Sequence, residues 1–509
     1  MLTLGSILEQ NAKKYHNKRA VIFKDKVLTY GELNERANKV ANSLSDRGFK
    51  KGDKIAVFMK NHLVYAELIV GFAKAGIIMV PINYRLVGAE IDYLINNSDS
   101  TGIIFTEEYV DVIKEILPGL PQLDTVIIVG DSTSENMISY EELLDNGDSS
   151  NPEVDIKEED PLYLGYTSGT TGNPKGIVIS HRSRVLTGMA VAYEFKLDES
   201  DIHLVGGPIY HAAPLIFLLT QLIVGGTIII HETFRPNKVL ADIASYQITN
   251  TFLTPTMHAF LVEVQEKVKA DISSMRVLSS GGAPLPTQIK KDILNTFPDA
   301  GLHEWYGTTE SALTLNMKPK DIHHKDQSVG HPFPFVECVI LDDKKQPVQQ
   351  GEIGELYFKA PYLLTEYYKN PEETEAGFHE GYFSVGDMAM QDEEGFYYIV
   401  DRKKDMLISG GVNIYPREIE DVLHMNPKIK DVAVLGVPDP VWGESVKAFI
   451  VAAEGKSLTE KEVITYCEGK IASYKKPKSV SFVKEIPRNP SGKALKTELR
   501  ASIKVGGYN

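Results

Sequence analysis

Short apolar or β-branched runs alternate with helix-patterned stretches as far as residue 330, and this alternation restricts the fold more than any other feature of the chain. Thr29 and Glu32 stand at capping-box spacing, and Leu33, Ala37, Val40, Ala41 and Leu44 follow at helical intervals. Gly48 sits where a C-terminal cap glycine belongs. Residues 54–59 read as a strand, 63–75 as a helix closed by Gly76, and 77–81 as the next strand. Residues 126–129, 227–230 and 276–279 repeat the short β pattern between helical stretches. Such a succession builds βαβ units, and hence a parallel sheet covered by helices.

Beyond residue 330 the texture changes. Residues 336–341, 354–358 and 396–399 are short strands divided by Gly/Asp turns, which predicts a β-rich subdomain. After Asp401 a compact α/β pattern follows, with strands over 432–437, 446–453 and 480–483 and a helix over 459–467 capped by Thr459 and Glu462. The expected boundary therefore divides 1–401 from 402–509.

Charge changes sign at that boundary. The chain carries 54 Lys+Arg against 69 Asp+Glu, a net −15. Residues 402–509 hold 19 basic against 13 acidic residues, a net +6, which leaves 35 against 56, a net −21, on residues 1–401. An acidic body argues against nucleic-acid binding, whereas the basic C-terminal piece suits an anionic ligand. Only Cys338 and Cys467 are present, so neither a disulfide framework nor a cysteine zinc site is expected. Two cysteines fit a reducing cytoplasm. The first residues lack a basic-then-apolar leader, and the longest apolar run, 215–224, falls short of the ~18 residues of a membrane span.

The most informative stretch is Tyr166-Thr167-Ser168-Gly169-Thr170-Thr171-Gly172-Asn173-Pro174-Lys175-Gly176. Apolar strand-like residues flank it on both sides, so it reads as a hairpin loop. Its glycines let backbone N–H groups approach a ligand, and its hydroxyls and lysine add donors, an arrangement suited to polyphosphate. It lacks the spacing of a Walker loop. Taken alone it reads equally well as a surface hairpin.

Five shorter motifs follow. Ser280-Gly281-Gly282-Ala283-Pro284 is a glycine turn at a strand end, where α/β proteins place ligands. Glu304-Trp305-Tyr306-Gly307-Thr308-Thr309-Glu310 joins an aromatic platform to hydroxyls and a carboxylate able to hold a hard cation. Asp387 ends a glycine-rich turn, Arg402-Lys403-Lys404 precedes Gly410-Gly411, and Pro490-Ser491-Gly492-Lys493 stands near the end. Each has a purely structural reading by itself.

In this order and over essentially the whole chain, the set resembles the adenylate-forming superfamily, which includes acyl-CoA synthetases, adenylation domains and beetle luciferases. The resemblance implies a large N-terminal domain of two α/β subdomains plus a β subdomain, followed by a small mobile α+β lid. It implies that Thr167, Ser168, Gly169, Thr170, Thr171, Gly172 and Lys175 wrap the phosphates of ATP. Gly282, Ala283, Pro284 and Tyr306 would bracket adenine within a nucleotide site that takes in Trp305, Gly307 and Thr308. Thr309 would contact phosphate, Glu310 would hold Mg²⁺, and Asp387 and Arg402 would bind ribose. Lys493 would reach the carboxylate and α-phosphate, Lys404 would be the hinge of the lid, and Gly410 and Gly411 would face the site once the lid has turned. A homodimer is compatible with this resemblance.

The acid pocket is expected near residues 208–215, with Tyr210, His211 and Gly281, and along a strand over 251–257. Amino-acid-activating relatives place an aspartate there, and this stretch has none, which suits an apolar acid such as a fatty acid. Trp305 replaces the glycine common before the motif tyrosine, so the shape of the acyl pocket does not transfer from the family. Coenzyme A is the favoured acceptor, with Lys475, Lys476 and Lys478 available to its phosphates. The alternatives are an adenylase that loads a carrier protein, a luciferase-like oxygenase and a nucleotide-binding protein without activity.

Overall fold

The computed structural model describes residues 2–131, 137–167, 174–409, 412–488 and 494–504. They group into two compact units: Met1–Asp326 with Pro332–Glu337 and Lys359–Gly377, and Gln327–His331 with Cys338–Phe358 and Phe378–Asn509.

The first unit is built on two sheets whose central strands are parallel. In one, Lys54–Phe58 lies between Ile78–Ile82 and Gly102–Thr106, with Thr125–Val129 beyond the latter and Pro161–Thr167 beyond the former. In the other, Ile202–Val205 is central, flanked by Thr227–Ile230 on one side and by Asn250–Leu253, Val277–Ser280 and Gly301–Thr308 on the other. The chain leaves Ile202–Val205 toward one side and returns past it to the other. That reversal opens a crevice at the carboxyl end of the strand, where open α/β sheets bind ligands. Residues 206–211 follow directly, so the topology delivers the expected acid loop to this crevice.

The local signals are met. Helix Tyr30–Asp46 carries the Thr29/Glu32 capping box, and Val64–Ala75 ends at left-handed Gly76 (φ 71°). One expectation fails: the strand over 251–257 stops at Leu253, and Pro255–Val268 is a helix. Thr254 caps it by accepting from the Met257 amide, and Pro255 at the first helical position has no N–H to satisfy. Among the described residues no helix is long and apolar enough to cross a membrane. Both cysteines are free thiols.

The first unit buries several polar side chains. His181, His203, His258 and His303 are all at most 6% exposed. His181 Nδ1 accepts from the Leu4 amide (3.3 Å), and Asn316 Nδ2, which also donates to Glu194, lies 3.0 Å from His303 Nδ1. An imidazole that accepts at Nδ1 must be neutral. Burial lowers the pKa of each of the four to about 4. Lys74 is buried between helices, and its ammonium donates to Oδ1 of Asn34, Asn38 and Asn151 at 2.6, 2.6 and 2.8 Å. Burial lowers its pKa to about 8.

The second unit contains an antiparallel sheet around Gly354–Lys359, Asp387–Gln391 and Tyr397–Arg402. A further sheet pairs Ile429–Asp439 with Gly443–Ala452 and carries Ser479–Phe482 parallel to the latter. Helices Pro416–His424 and Glu460–Tyr466 accompany it, the second with its Thr459/Glu462 capping box. This mixture of an α/β body and a small α+β part is the fold class expected from the sequence.

Candidate active site

Strand Pro161–Thr167 runs antiparallel to Lys175–Ser180, with Tyr166 opposite Gly176 and Thr167 opposite Lys175. The two flanking strands therefore pair as a hairpin requires. Ser168, Gly169, Thr170, Thr171 and Gly172, and likewise Gly410, Gly411 and Lys493, lie outside the described residues.

The short strand Glu366–Tyr367 adds to the outer side of Lys175–Ser180, pairing Tyr367 with Ile177. Its tyrosine brings two expected ligands together. The Tyr367 hydroxyl donates to Glu310 Oε1 at 2.9 Å, and Lys175 Nζ lies 5.7 Å from the centre of the same ring. Thr309 reaches the hairpin too, because a Cβ added at Gly165 would stand 3.8 Å from its Cγ2. Glu310 is buried, yet among the described residues no cationic side chain is paired with it. The turn that presents it is strained: Ala312 has φ 57°, and a Cβ at Gly307 would overlap the Ala312 carbonyl oxygen at 1.8 Å. Thr308 is held by Ser311, their hydroxyls 3.1 Å apart.

At the turn expected to bracket adenine, Ser280 pairs with Glu304, and residues 281–284 follow that strand directly. A Cβ at Gly281 would meet the Trp305 indole at 2.5 Å, so glycine is required there, whereas Gly282 (φ 79°) faces open space. Trp305 packs into an apolar cluster against Phe252 (ring centres 5.3 Å apart) and Phe217 (6.3 Å), and its buried Nε1 has no hydrogen-bond partner. Tyr306 follows it on the strand, opposite Leu315.

In the loop expected to line the acid pocket, Tyr210 and His211 lie ring to ring at 4.3 Å, and both Tyr210 Oη and His211 Nε2 are buried without partners. Burial, aided by the Arg85 cation, lowers the His211 pKa to about 4, so the loop presents no charge of its own at neutral pH. Buried Asn61 fixes its backbone, donating to the carbonyls of Gly207 (2.8 Å) and His231 (2.9 Å) and accepting from the Ile209 amide (2.7 Å).

The second unit holds the remaining expected residues. Asp387 and Arg402 are cross-strand partners, joined by Arg402 Nε at 3.2 Å from Asp387 Oδ1. Lys404 follows that strand by two residues. Just before it, buried Asp401 accepts the amides of Arg402 and Arg417, and burial raises its pKa. Two of the three lysines considered for phosphate have carboxylate partners: Lys475 with Glu418 (2.7 Å) and Lys476 with Glu468 (3.2 Å).

Residues 8–368 match the model of the AMP-binding enzyme family, and residues 418–493 match the model of the AMP-binding enzyme C-terminal domain. The chain belongs to the AMP-binding enzyme family. It stands in the acyl-CoA synthetase branch of the adenylate-forming superfamily, and its class is AMP-forming acid–CoA ligase. Feruloyl-CoA synthase of an Amycolatopsis species is 35% identical over 501 residues, covering 98% of both chains. The long-chain-fatty-acid–CoA ligase FadD13 of Mycobacterium tuberculosis is 35% identical over 506 residues, with the same 98% coverage. The crystal structure of the anthranilate CoA ligase AuaEII with anthranoyl-AMP superimposes with a TM-score of 0.91 at 26% identity, covering 99% of this chain and 98% of that one.

Seen against this family, two residues of the site escape sequence reasoning. Tyr367, which braces Glu310, is 57 residues away in sequence, and Glu373, which forms an ion pair with Lys175, is 198 away. No local spacing announces either contact. On the expected role of Lys175 as a phosphate ligand, the Lys175–Glu373 pair has a consequence: an incoming phosphate would compete with a resident carboxylate for the lysine. Glu373→Gln is therefore expected to lower KM for ATP about three-fold with kcat little changed, a size typical of partly exposed pairs. Steady-state kinetics decide this, and a raised KM would mean that Glu373 positions Lys175 instead of competing for it.

Proposed function

We propose that the protein activates an apolar carboxylic acid, a fatty acid in our reading, as its acyl adenylate and then passes the acyl group to the thiol of CoA. The observation that carries this reading is the acid loop. It offers a neutral histidine, a tyrosine and the wholly apolar start of helix Ala212–Val224, with no carboxylate to hold a substrate ammonium. Feruloyl-CoA synthase and FadD13 stand at equal identity, so they support acid–CoA ligation and divide on the acid's tail.

In the first step a carboxylate oxygen attacks the α-phosphorus of ATP. The bond from that phosphorus to the bridging oxygen breaks, and pyrophosphate leaves. In the second, the CoA sulfur attacks the acyl carbon, its proton is lost, and AMP leaves. Lys175 would hold phosphate oxygens, Thr309 would donate to them, and Asp387 and Arg402 would hold the ribose. Glu310 fits Mg²⁺, since a single buried carboxylate without a cationic partner matches the one or two protein ligands this ion takes beside phosphates. Bound there, Mg²⁺ would supply positive charge against the triphosphate. Residues 402–509 would move as a lid about Lys404, between a face carrying Lys493 and one carrying Gly410 and Gly411.

Turnover of a panel from short fatty through long fatty to aromatic acids, read as CoA-dependent AMP release with mass spectrometry of the product, tests the reading. AMP release that needs a carrier protein, or that occurs only with amino acids, would refute it. Trp305 sets a second expectation. The indole occupies the space above Gly281, so Trp305→Gly should shift the kcat/KM ratio about ten-fold toward longer or bulkier acids, the worth of a methylene or two of new room. A ratio between two acids is unaffected by partial unfolding of the variant. An unchanged ratio would place the indole outside the acid's path.

A further inference from the structure

Arg184 stands at the start of helix His181–Phe195, which follows strand Lys175–Ser180, and it is 1% exposed. The helix start fixes its place. Ser180 caps the helix by accepting the Ser183 amide (3.2 Å), and Ser183 Oγ donates to the Tyr362 carbonyl (2.6 Å). From there the guanidinium reaches strand Pro161–Thr167, which leads into the glycine-rich stretch. Arg184 Nε donates to Tyr163 Oη at 2.7 Å, and Nη2 donates to the same oxygen. Nη2 also donates to the Thr309 carbonyl at 3.3 Å, and Nη1 to Ser183 Oγ at 3.4 Å.

Every one of these acceptors is a neutral oxygen. Burial raises the Tyr163 pKa against the opposing pull of Arg184, so the phenol stays protonated at neutral pH. Among the described residues no carboxylate is paired with Arg184. Taking such a cation out of water without a counter-ion is costly, and an apolar side chain of similar volume in its place is often neutral or stabilising. Packing alone therefore does not account for an arginine here. What the guanidinium does is tie two segments together. The Thr309 carbonyl belongs to the peptide bond between Thr309 and Glu310, the residues expected to meet phosphate and Mg²⁺. The next carbonyl, that of Glu310, accepts the Leu364 amide at 2.7 Å, and the Glu310 side chain accepts the Tyr367 hydroxyl. Arg184 adds the third restraint on this turn, which is already strained at Ala312. Gly165 lies between the two tied segments: a Cβ there would stand 3.2 Å from Tyr163 Cε2 and 3.8 Å from Thr309 Cγ2.

We propose that Arg184 is a positioning residue of the adenylation step. It fixes the Thr309–Glu310 peptide against strand Pro161–Thr167, and the nucleotide phosphates offset its unpaired charge when they bind. The proposal rests on the reading of Thr309 and Glu310 as the groups that meet the phosphates and Mg²⁺.

Equilibrium binding separates this role from a purely structural one. The full-length protein is titrated calorimetrically with ATP in the presence of Mg²⁺ and, separately, with adenosine, which has no phosphate. Partial unfolding of a variant lowers the number of sites and leaves the dissociation constant unchanged, so both constants stay readable. Arg184→Met should weaken MgATP about ten-fold, the worth of one charge-assisted hydrogen bond, and adenosine by no more than about two-fold. Arg184→Lys keeps the charge without the planar fork that serves Tyr163 and Thr309 together, and it should recover part of the loss. Tyr163→Phe removes the anchor and should move MgATP in the same direction as Arg184→Met. Thr309→Ala is the control on the underlying reading: if it leaves MgATP affinity unchanged, that reading fails and takes the proposal with it. If Thr309→Ala weakens MgATP and Arg184→Met does not, the proposal alone is overturned. It is overturned equally if Arg184→Met weakens MgATP and adenosine alike.

Discussion

Lys493→Ala is expected to reduce acid-dependent ATP–pyrophosphate exchange by roughly 10²–10³ or more, while thioester formation from a preformed acyl adenylate survives. The argument is electrostatic. Adenylation drives a carboxylate onto a phosphorus already surrounded by anionic oxygens, so the barrier is dominated by like charges brought together. An ammonium placed between the two anions offsets that repulsion most strongly as the new bond forms, and losing such a preorganised charge costs rate more than binding. In the second half-reaction the nucleophile is a thiol and the electrophile an already activated acyl carbon, so the same ammonium has little to offset. Lys493→Arg keeps the charge but spreads it over a planar fork on a different stem, and partial activity is expected from it. Measuring exchange and thioester formation separately on each variant is decisive. Equal losses in both halves would remove the assignment of Lys493 to adenylation.

Acid should unfold the first unit well above the carboxylate range. His181, His203, His258 and His303 have native pKa values near 4, against about 6.5 for an exposed imidazole. Because burial depresses the native values, the unfolded chain binds more protons below pH 6.5. The stability these residues contribute is thus complete above that pH and is lost as the pH falls toward 4. At pH 5 each forfeits ~2 kcal/mol, at about 1.36 kcal/mol for every pH unit below 6.5. Four such losses sum to ~8 kcal/mol, comparable to the whole stability of an ordinary domain. Denaturant melts at pH 7.5, 6.5 and 5.5 should show the transition of this unit moving steeply to lower denaturant below pH 6.5. A midpoint that stays flat down to pH 5.5 would mean that these imidazoles already titrate in the native protein.

What the sequence discloses, and what it withholds, follows the range of the interactions. Both capping boxes, at Thr29 and Thr459, are legible because donor and acceptor lie three residues apart. The strands flanking the glycine-rich stretch 168–173 are legible because they pair with each other. The stretch 251–257 misleads because the β-compatible neighbours of Thr254 and Pro255 mask their meaning, when a capping threonine followed by proline marks the start of a helix. In the site, Lys175 and Glu310 stand in recognisable motifs, but their partners Glu373 and Tyr367 come from a distant segment laid along the hairpin's edge. Contacts of that kind are set by the order of strands in a sheet. A reading confined to one window of the chain cannot reach them, and the buried histidines belong to the same class: nothing next to His203 in sequence announces that Asn250 Oδ1 will accept a hydrogen bond from its Nδ1.

The asparagine cage around Lys74 bears on how the protein meets its surroundings. A crown ether holds potassium by neutral oxygens alone, and Asn34, Asn38 and Asn151 hold this ammonium in the same way. None of the three can gain or lose a proton, and none carries a charge that dissolved ions could shield. The junction they make between helices Tyr30–Asp46 and Val64–Ala75 is therefore indifferent to brine and to vinegar alike, in a protein whose buried histidines are not.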